Sequence, residues 1–192
     1  MEAFLVSAGV VAVAELGDKT QLLAILLAAR FGAPLPIIMG IFVATAFNHG
    51  FAAAIGNVLG DWLSGENLRW VLAVSFTAMA VWMLSPGSVH KPPRMLDGIG
   101  AFGATVISFF LVEIGDTTQL ATMALAARFH SIFVVAAGTT AGILIADVPA
   151  VYFGRMVVRK IPLPLVRACA AAIFVALAFA AFMGWGSALL SA

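Results

Sequence analysis

Charge is what this sequence has least of. Of 192 residues, 10 are Lys or Arg and 9 are Asp or Glu, a charged share of 10 %, where soluble domains carry about a quarter. The hydrophobic share is 63 %, more than a soluble fold of this length can hide, so the expected medium is lipid. A net charge of +1 and the lack of a long basic run exclude a nucleic-acid partner. The single cysteine, Cys169, excludes an internal disulfide or a thiolate metal site within one chain, and its Ala-rich setting reads as small-residue packing. There is no Ser–His–Asp set, P-loop or His-rich zinc pattern, which argues against an enzyme. The positive n-region of a signal peptide is also missing. The first residues hold Glu2 and no Lys or Arg, so "AVAE" at 12–15 is expected to be mature sequence rather than a cleavage site.

What remains is long and apolar. A helix crosses the hydrocarbon with about 20 residues, and six segments are expected to do so: 4–29, 35–59, 70–84, 99–127, 132–153 and 165–190. The first and fourth are long enough to be tilted or interrupted, and the third is short. Alternate loops place Arg30, Lys91, Arg94, Arg155, Arg159, Lys160 and Arg167 on one side, against Arg69 and Arg128 on the other. The positive-inside rule makes the richer side cytoplasmic and puts both termini outside. Trp62, Trp70, Trp82 and Trp185 read as interface anchors or packing residues.

The chain also repeats itself. Shifted by 98 positions (113 − 15), "AVAELGDKTQLLAILLAARF" at 12–31 falls on "FLVEIGDTTQLATMALAARF" at 110–129. The register continues through Gly40 and Gly138, His49 and Asp147, and Gly56 and Gly154. Three spans per half is an odd number, so the second half should enter the membrane inverted, as in transporters whose site lies at the midplane between repeats. The expected fold is all-α integral membrane: six transmembrane helices as two inverted three-helix repeats. Residues 1–90 form the first, 91–97 a cytoplasmic linker and 98–192 the second.

Each repeat buries acids in an apolar span. Glu15 and Asp18 are three apart, as are Glu113 and Asp116, and on a continuous helix such pairs share a face. Carboxylates at that depth are expensive and therefore mark function or pairing. Lys19 can balance one charge, whereas Thr117 stands at its counterpart. Brought together across the repeat axis, the four acids would form an all-oxygen cage, with oxygens of Thr20, Gln21, Thr118 and Gln119 completing the shell. Such a cage suits hard divalent cations such as Ca²⁺, Mn²⁺ and Mg²⁺ over copper or zinc. Gly17 and Gly115 would permit local unwinding. Without metal, crowded and desolvated carboxylates hold protons instead, so metal and proton would compete for one set of oxygens, the basis of an antiporter. Asp147, a fifth deep acid, could extend the ion path, relay a proton or make an interhelical hydrogen bond. The bland readings are polar glue between helices for the motif acids, helix C-terminal and interface anchoring for Arg30 and Arg128, and close helix approach at Gly56/Gly60 and Gly138/Gly142.

Two copies of Glu-x-Gly-Asp-(Lys/Arg/Thr)-(Thr/Ser) in two three-span halves resemble the Gdt-type cation exchanger family, formerly an uncharacterised protein family. It includes bacterial manganese exporters of the MneA type and Golgi Mn²⁺/Ca²⁺ transporters, and lies near the lysine exporter superfamily. "ELGDKTQ" at 15–21 fits the signature fully; "EIGDTTQ" at 113–119 departs at Thr117, where a basic residue is common. The resemblance spans essentially the whole chain. It implies cation export driven by a counter-ion, with Glu15, Asp18, Glu113 and Asp116 binding metal, and points to a bacterial inner-membrane exporter moving Mn²⁺ against H⁺, the metal being substrate rather than cofactor. A Ca²⁺/H⁺ antiporter of the same fold and a non-transporting scaffold with a structural ion are the competing readings.

Overall fold

A computed structural model describes residues 1–63, 65–84, 94–160 and 163–184. Those residues are helical, with no strand among them. The elements are α1 (Glu2–Glu15), α2 (Lys19–Phe31), α3 (Pro34–Trp62), α4 (Gly65–Leu84), a 3₁₀ segment (Arg94–Ile99), α5 (Gly100–Glu113), α6 (Thr117–Phe129), α7 (Ile132–Lys160) and α8 (Leu163–Phe182). Adding 98 to both bounds of α1, α2, α3 and α4 returns the bounds of α5, α6, α7 and α8. The repeat is therefore structural as well as sequential.

Its punctuation repeats too. Gly32 ends α2 in the left-handed region and donates its N–H to the Ala28 carbonyl at 3.0 Å; His130 does the same after α6, with φ 48 and a 2.9 Å bond to Ala126. Left-handed caps of this kind satisfy the orphan carbonyls of a helix end. Pro34 opens α3 where its missing N–H costs nothing. Arg30 and Arg128 occupy the last turns of α2 and α6, the placement expected of cations near a helix C-terminus.

The halves are interleaved rather than side by side. α1 packs on α7 and α3 on α5, a pair of contacts that exchange under the shift; α2–α7 and α3–α6 form a second such pair, and α4 packs on α8. Small residues make the closest approaches. A Cβ on Gly40 would meet Thr105 at 2.7 Å, and one on Gly138 would meet the Phe4 carbonyl at 2.7 Å and Ser7, the counterpart of Thr105, at 2.9 Å. Gly56 and Gly60 lie against the backbone of Met123 and Ala127, and Gly142 against that of Ala8 and Ala12. The close approach expected at these glycines is thus real, and it joins one half to the other.

Burial runs opposite to that of a soluble protein. Glu15, Thr20, His49, Glu113 and Asp147 are fully enclosed, while Phe47, Phe51 and Phe133 are each at least 70 % exposed. An apolar exterior this extensive is stable only against lipid. Leu23, Leu27, Ile41, Phe109, Ile143 and Phe174 form the core beneath it. By length and composition, α3, α4 and α7 can each cross a membrane, and α5 with α6, bent by 72° at their break, pass the same test only as a pair.

Several expectations change. The first and fourth segments, long enough to be tilted or interrupted, are each interrupted and form two helices. The third segment starts earlier, because α4 begins at Gly65 and is long enough to cross. The apolar part of α8 among the described residues is short, Ala168–Phe182. Cys169 is exposed rather than packed. Lys91, Trp185 and the first part of the 91–97 linker lie outside the described residues, as do the side chains of Arg94, Arg155, Arg159, Lys160 and Arg167, so most of the charges behind the orientation reading do too.

Candidate cation site

The acids sit at the two helix breaks. Gly17 has φ 76 and Gly115 φ 74, a backbone region nearly closed to other residues, and each ends the helix that precedes it. α1 stops at Glu15 and α5 at Glu113; Asp18 and Asp116 then open α2 and α6 as N-caps. The three-residue spacing therefore does not place Glu15 and Asp18 on one helical face. It places them on either side of a turn, closed by Asp18 N–H to the Glu15 carbonyl at 3.1 Å and by Asp116 N–H to that of Glu113 at 3.0 Å. The following glutamine locks each break: the Gln21 Oε1 accepts the Gly17 N–H at 3.0 Å, and the Gln119 Oε1 accepts that of Gly115 at 2.9 Å. These two oxygens, expected to complete an ion's shell, each accept a backbone N–H. Gln21 also donates to the Ala146 carbonyl at 3.2 Å, tying the first break to α7.

Folding brings acids of both repeats together. One carboxylate oxygen from each of Glu15, Asp18 and Asp116 lies within 4.8 Å of the other two. Oxygens on opposite sides of one ion are about 4.0–4.2 Å apart for Mg²⁺ and about 4.6–5.2 Å for Ca²⁺, twice the metal–oxygen distances, so the set has the dimensions of a single hard-cation site. Lys19 reaches across the repeat to Asp116, Nζ to Oδ1 at 2.8 Å. Thr118 donates to the other Asp116 oxygen at 3.2 Å. Thr20 is fully buried, and its hydroxyl has no hydrogen-bond partner among the described residues.

Glu113 stands outside the three-acid set. Its Oε2 accepts from Asn48 Nδ2 at 3.0 Å, and Asn48 also reaches the Phe110 carbonyl at 3.2 Å. Next to it, His49 Nδ1 lies 2.7 Å from the Thr122 hydroxyl, an interhelical hydrogen bond. Glu15 has Asp147, Asp18, Asp116 and Glu113 as electrostatic neighbours. Both of its oxygens, and both of Asp147, are buried with no hydrogen-bond partner among the described residues. Several acids enclosed with one nearby lysine make a cluster that holds negative charge only if cations or protons are supplied.

The comparisons with known proteins bear on which. Residues 3–91 and 101–188 match the family profile described as "Divalent cation/proton antiporter GDT1". The chain belongs to the GDT1 family. A Vibrio cholerae serotype O1 protein described as "Putative manganese exporter" is 45 % identical over 181 residues, 94 % of this chain and 90 % of that protein. No solved structure matches the chain. As a GDT1-family member with an apolar, multi-helix exterior, the protein is a multi-pass membrane transporter of cations and not an enzyme.

Two residues beside the candidate site escaped sequence reasoning. Asn48 was visible only as a polar neighbour of His49, although an amide in the middle of an apolar helix is itself a signal. Thr122 carried none, because a threonine whose hydroxyl bonds back to the Thr118 carbonyl at 2.8 Å is ordinary in such helices.

Proposed function

We propose that the protein exports Mn²⁺ from the cytoplasm in exchange for H⁺, across a bacterial inner membrane. Its two halves, 1–90 and 98–192 joined by a linker at 91–97, act as inverted three-span repeats with both termini outside. The observation that carries this reading is the meeting of Glu15, Asp18 and Asp116 at two glycine-broken helices. The family description names divalent cation and proton, and the relative's description names manganese.

In this reading the substrate ion enters between Glu15, Asp18 and Asp116, with Thr20 and Thr118 as neutral oxygens close by and Asp147 along the path. Lys19 leaves Asp116 as the ion arrives, since one carboxylate oxygen cannot serve both cations at contact distance. Glu113 joins the ion when the Asn48 contact opens. In the absence of metal, Lys19 and protons balance the acids, so each cation leaving outward is replaced by protons moving inward. The broken helices suit this exchange: α2 and α6 aim their N-termini, with their partial positive charge, at the carboxylates that must remain in the membrane when the ion departs.

The test is flux in proteoliposomes with a metal-sensitive dye and a pH dye inside. Mn²⁺ movement should be coupled to opposite proton movement, and Glu15→Gln or Asp116→Asn should reduce it by more than about tenfold. Flux retained in both variants removes the site from the mechanism, Mn²⁺ flux without proton movement ends the exchange, and Ca²⁺ flux exceeding Mn²⁺ flux reassigns the substrate.

A further inference from the structure

The two half-sites are not chemically alike under the 98-residue shift, and the difference falls on one acid. Asn48 corresponds to Ala146, His49 to Asp147, and Thr122 to Ala24. In the second half's site Asn48 holds Glu113 and Thr122 holds His49, at 3.0 and 2.7 Å. In the first half's site neither restraint exists: Ala146 has no side-chain donor for Glu15, and Ala24 has none for Asp147. Glu15 and Asp147 are fully enclosed, and none of their four carboxylate oxygens has a hydrogen-bond partner among the described residues. Asp147 is the leading electrostatic neighbour of Glu15, and Asp18 that of Asp147, while Asp147 itself lies outside the set of three oxygens within 4.8 Å. Gln21 fixes this arrangement by holding the Ala146 carbonyl, one residue before Asp147.

Polar glue fails to explain such a residue. An acid kept for interhelical bonding should have a bond, as Glu113 does. Bare buried oxygens with Glu15 and Asp18 as electrostatic neighbours are what a cation site requires before its ion arrives. We propose that Asp147 supplies the fourth carboxylate of the cation cavity, beside Glu15, Asp18 and Asp116, in the place that the repeat symmetry would give to Glu113. The cavity is thus asymmetric. One half offers open ligands, while the other keeps its glutamate pinned by Asn48 in this conformation. The inference rests on the cation-site reading of the preceding subsection and adds a ligand from α7 to it.

Binding by the purified full-length protein tests it, with Mn²⁺ as the probe and titration calorimetry as the readout. Asp147→Asn should weaken Mn²⁺ binding by about tenfold or more, and Asp147→Glu should restore most of it. A second readout does not depend on the asparagine variant folding. In a Cys169→Ala background, Asp147→Cys should bind Cd²⁺ with an ultraviolet thiolate-to-metal charge-transfer band, which a merely structural position would not produce. Unchanged Mn²⁺ affinity in Asp147→Asn, or a folded Asp147→Cys without that band, overturns the assignment. Glu15→Gln separates the two failures. If it abolishes binding while Asp147→Asn does not, only the role of Asp147 falls; if it too binds normally, the cavity itself is wrong.

Discussion

Lys19 and Asp116 meet at 2.8 Å although they belong to opposite repeats. The lysine comes from the first motif, and the acid it neutralises comes from the second, whose own equivalent position is Thr117. One tethered cation thus pairs with an acid of the other half, and in the proposed exchange it competes with the incoming metal for Asp116.

Replacing it tests that competition. In Lys19→Gln, Asp116 is left inside without its partner, and loss of stability by about 2–3 kcal/mol in metal-free buffer is expected, below the full cost of breaking a buried pair because the lysine is partly exposed. Added Mn²⁺ should recover the loss, and Mn²⁺ affinity should rise while turnover falls. Thermal unfolding in detergent with and without Mn²⁺, alongside flux measurements, checks all three.

Gly115→Ala isolates the contribution of the helix break. Nothing lies within 4 Å of an added Cβ there, but φ is +74, so the penalty is conformational alone, about 1–2 kcal/mol. The expected outcome is a protein that still folds, with a lower unfolding midpoint and slower Mn²⁺ flux. Wild-type flux would mean that the break does not position the acids.

Asn48→Ala removes the donor from Glu113. A buried carboxylate that loses its side-chain hydrogen bond costs about 1–3 kcal/mol, and Asn48→Asp should be worse because it places another acid there. Chemical denaturation of the two variants, compared with Asn48→Gln, gives the ordering.

The interleaved packing is tested by a matched pair of glycines on α3. Gly56→Ala drives a methyl group into the Met123 backbone and is expected to destabilise the fold by more than about 2 kcal/mol. Gly50→Ala meets nothing within 4 Å and should be neutral or stabilising by up to about 1 kcal/mol, as for helix-interior glycines generally. Equal melting temperatures for the two variants would contradict the α3–α6 contact.

Much of this was legible from residues alone, and the limits have physical causes. The 98-residue register survives into the helix bounds because matched sequences carry matched caps, as at Gly32 and His130. The acids and the unwinding glycines were visible because each is costly where it stands unless used. The local geometry was not, since a three-residue spacing means a shared face only while the helix continues, and Gly17 and Gly115 end it. Gln21 and Gln119 look like spare ligands in a motif, yet the backbone N–H exposed by each break claims their oxygens first. Partner choice between helices was also hidden. Nothing in the composition of Asn48 says that it will find Glu113, because that contact depends on α3 docking against the opposite repeat rather than its own.

The cross-packing also has a bearing on how the protein is made. α1 leans on α7, and Gln21 finds the Ala146 carbonyl 125 positions later. A ribosome therefore delivers the first acidic break into the bilayer long before its shelter has been synthesised. The nascent first repeat must linger with Glu15 uncovered, in an insertase or against lipid-borne water, and the fold closes only when its mirror arrives.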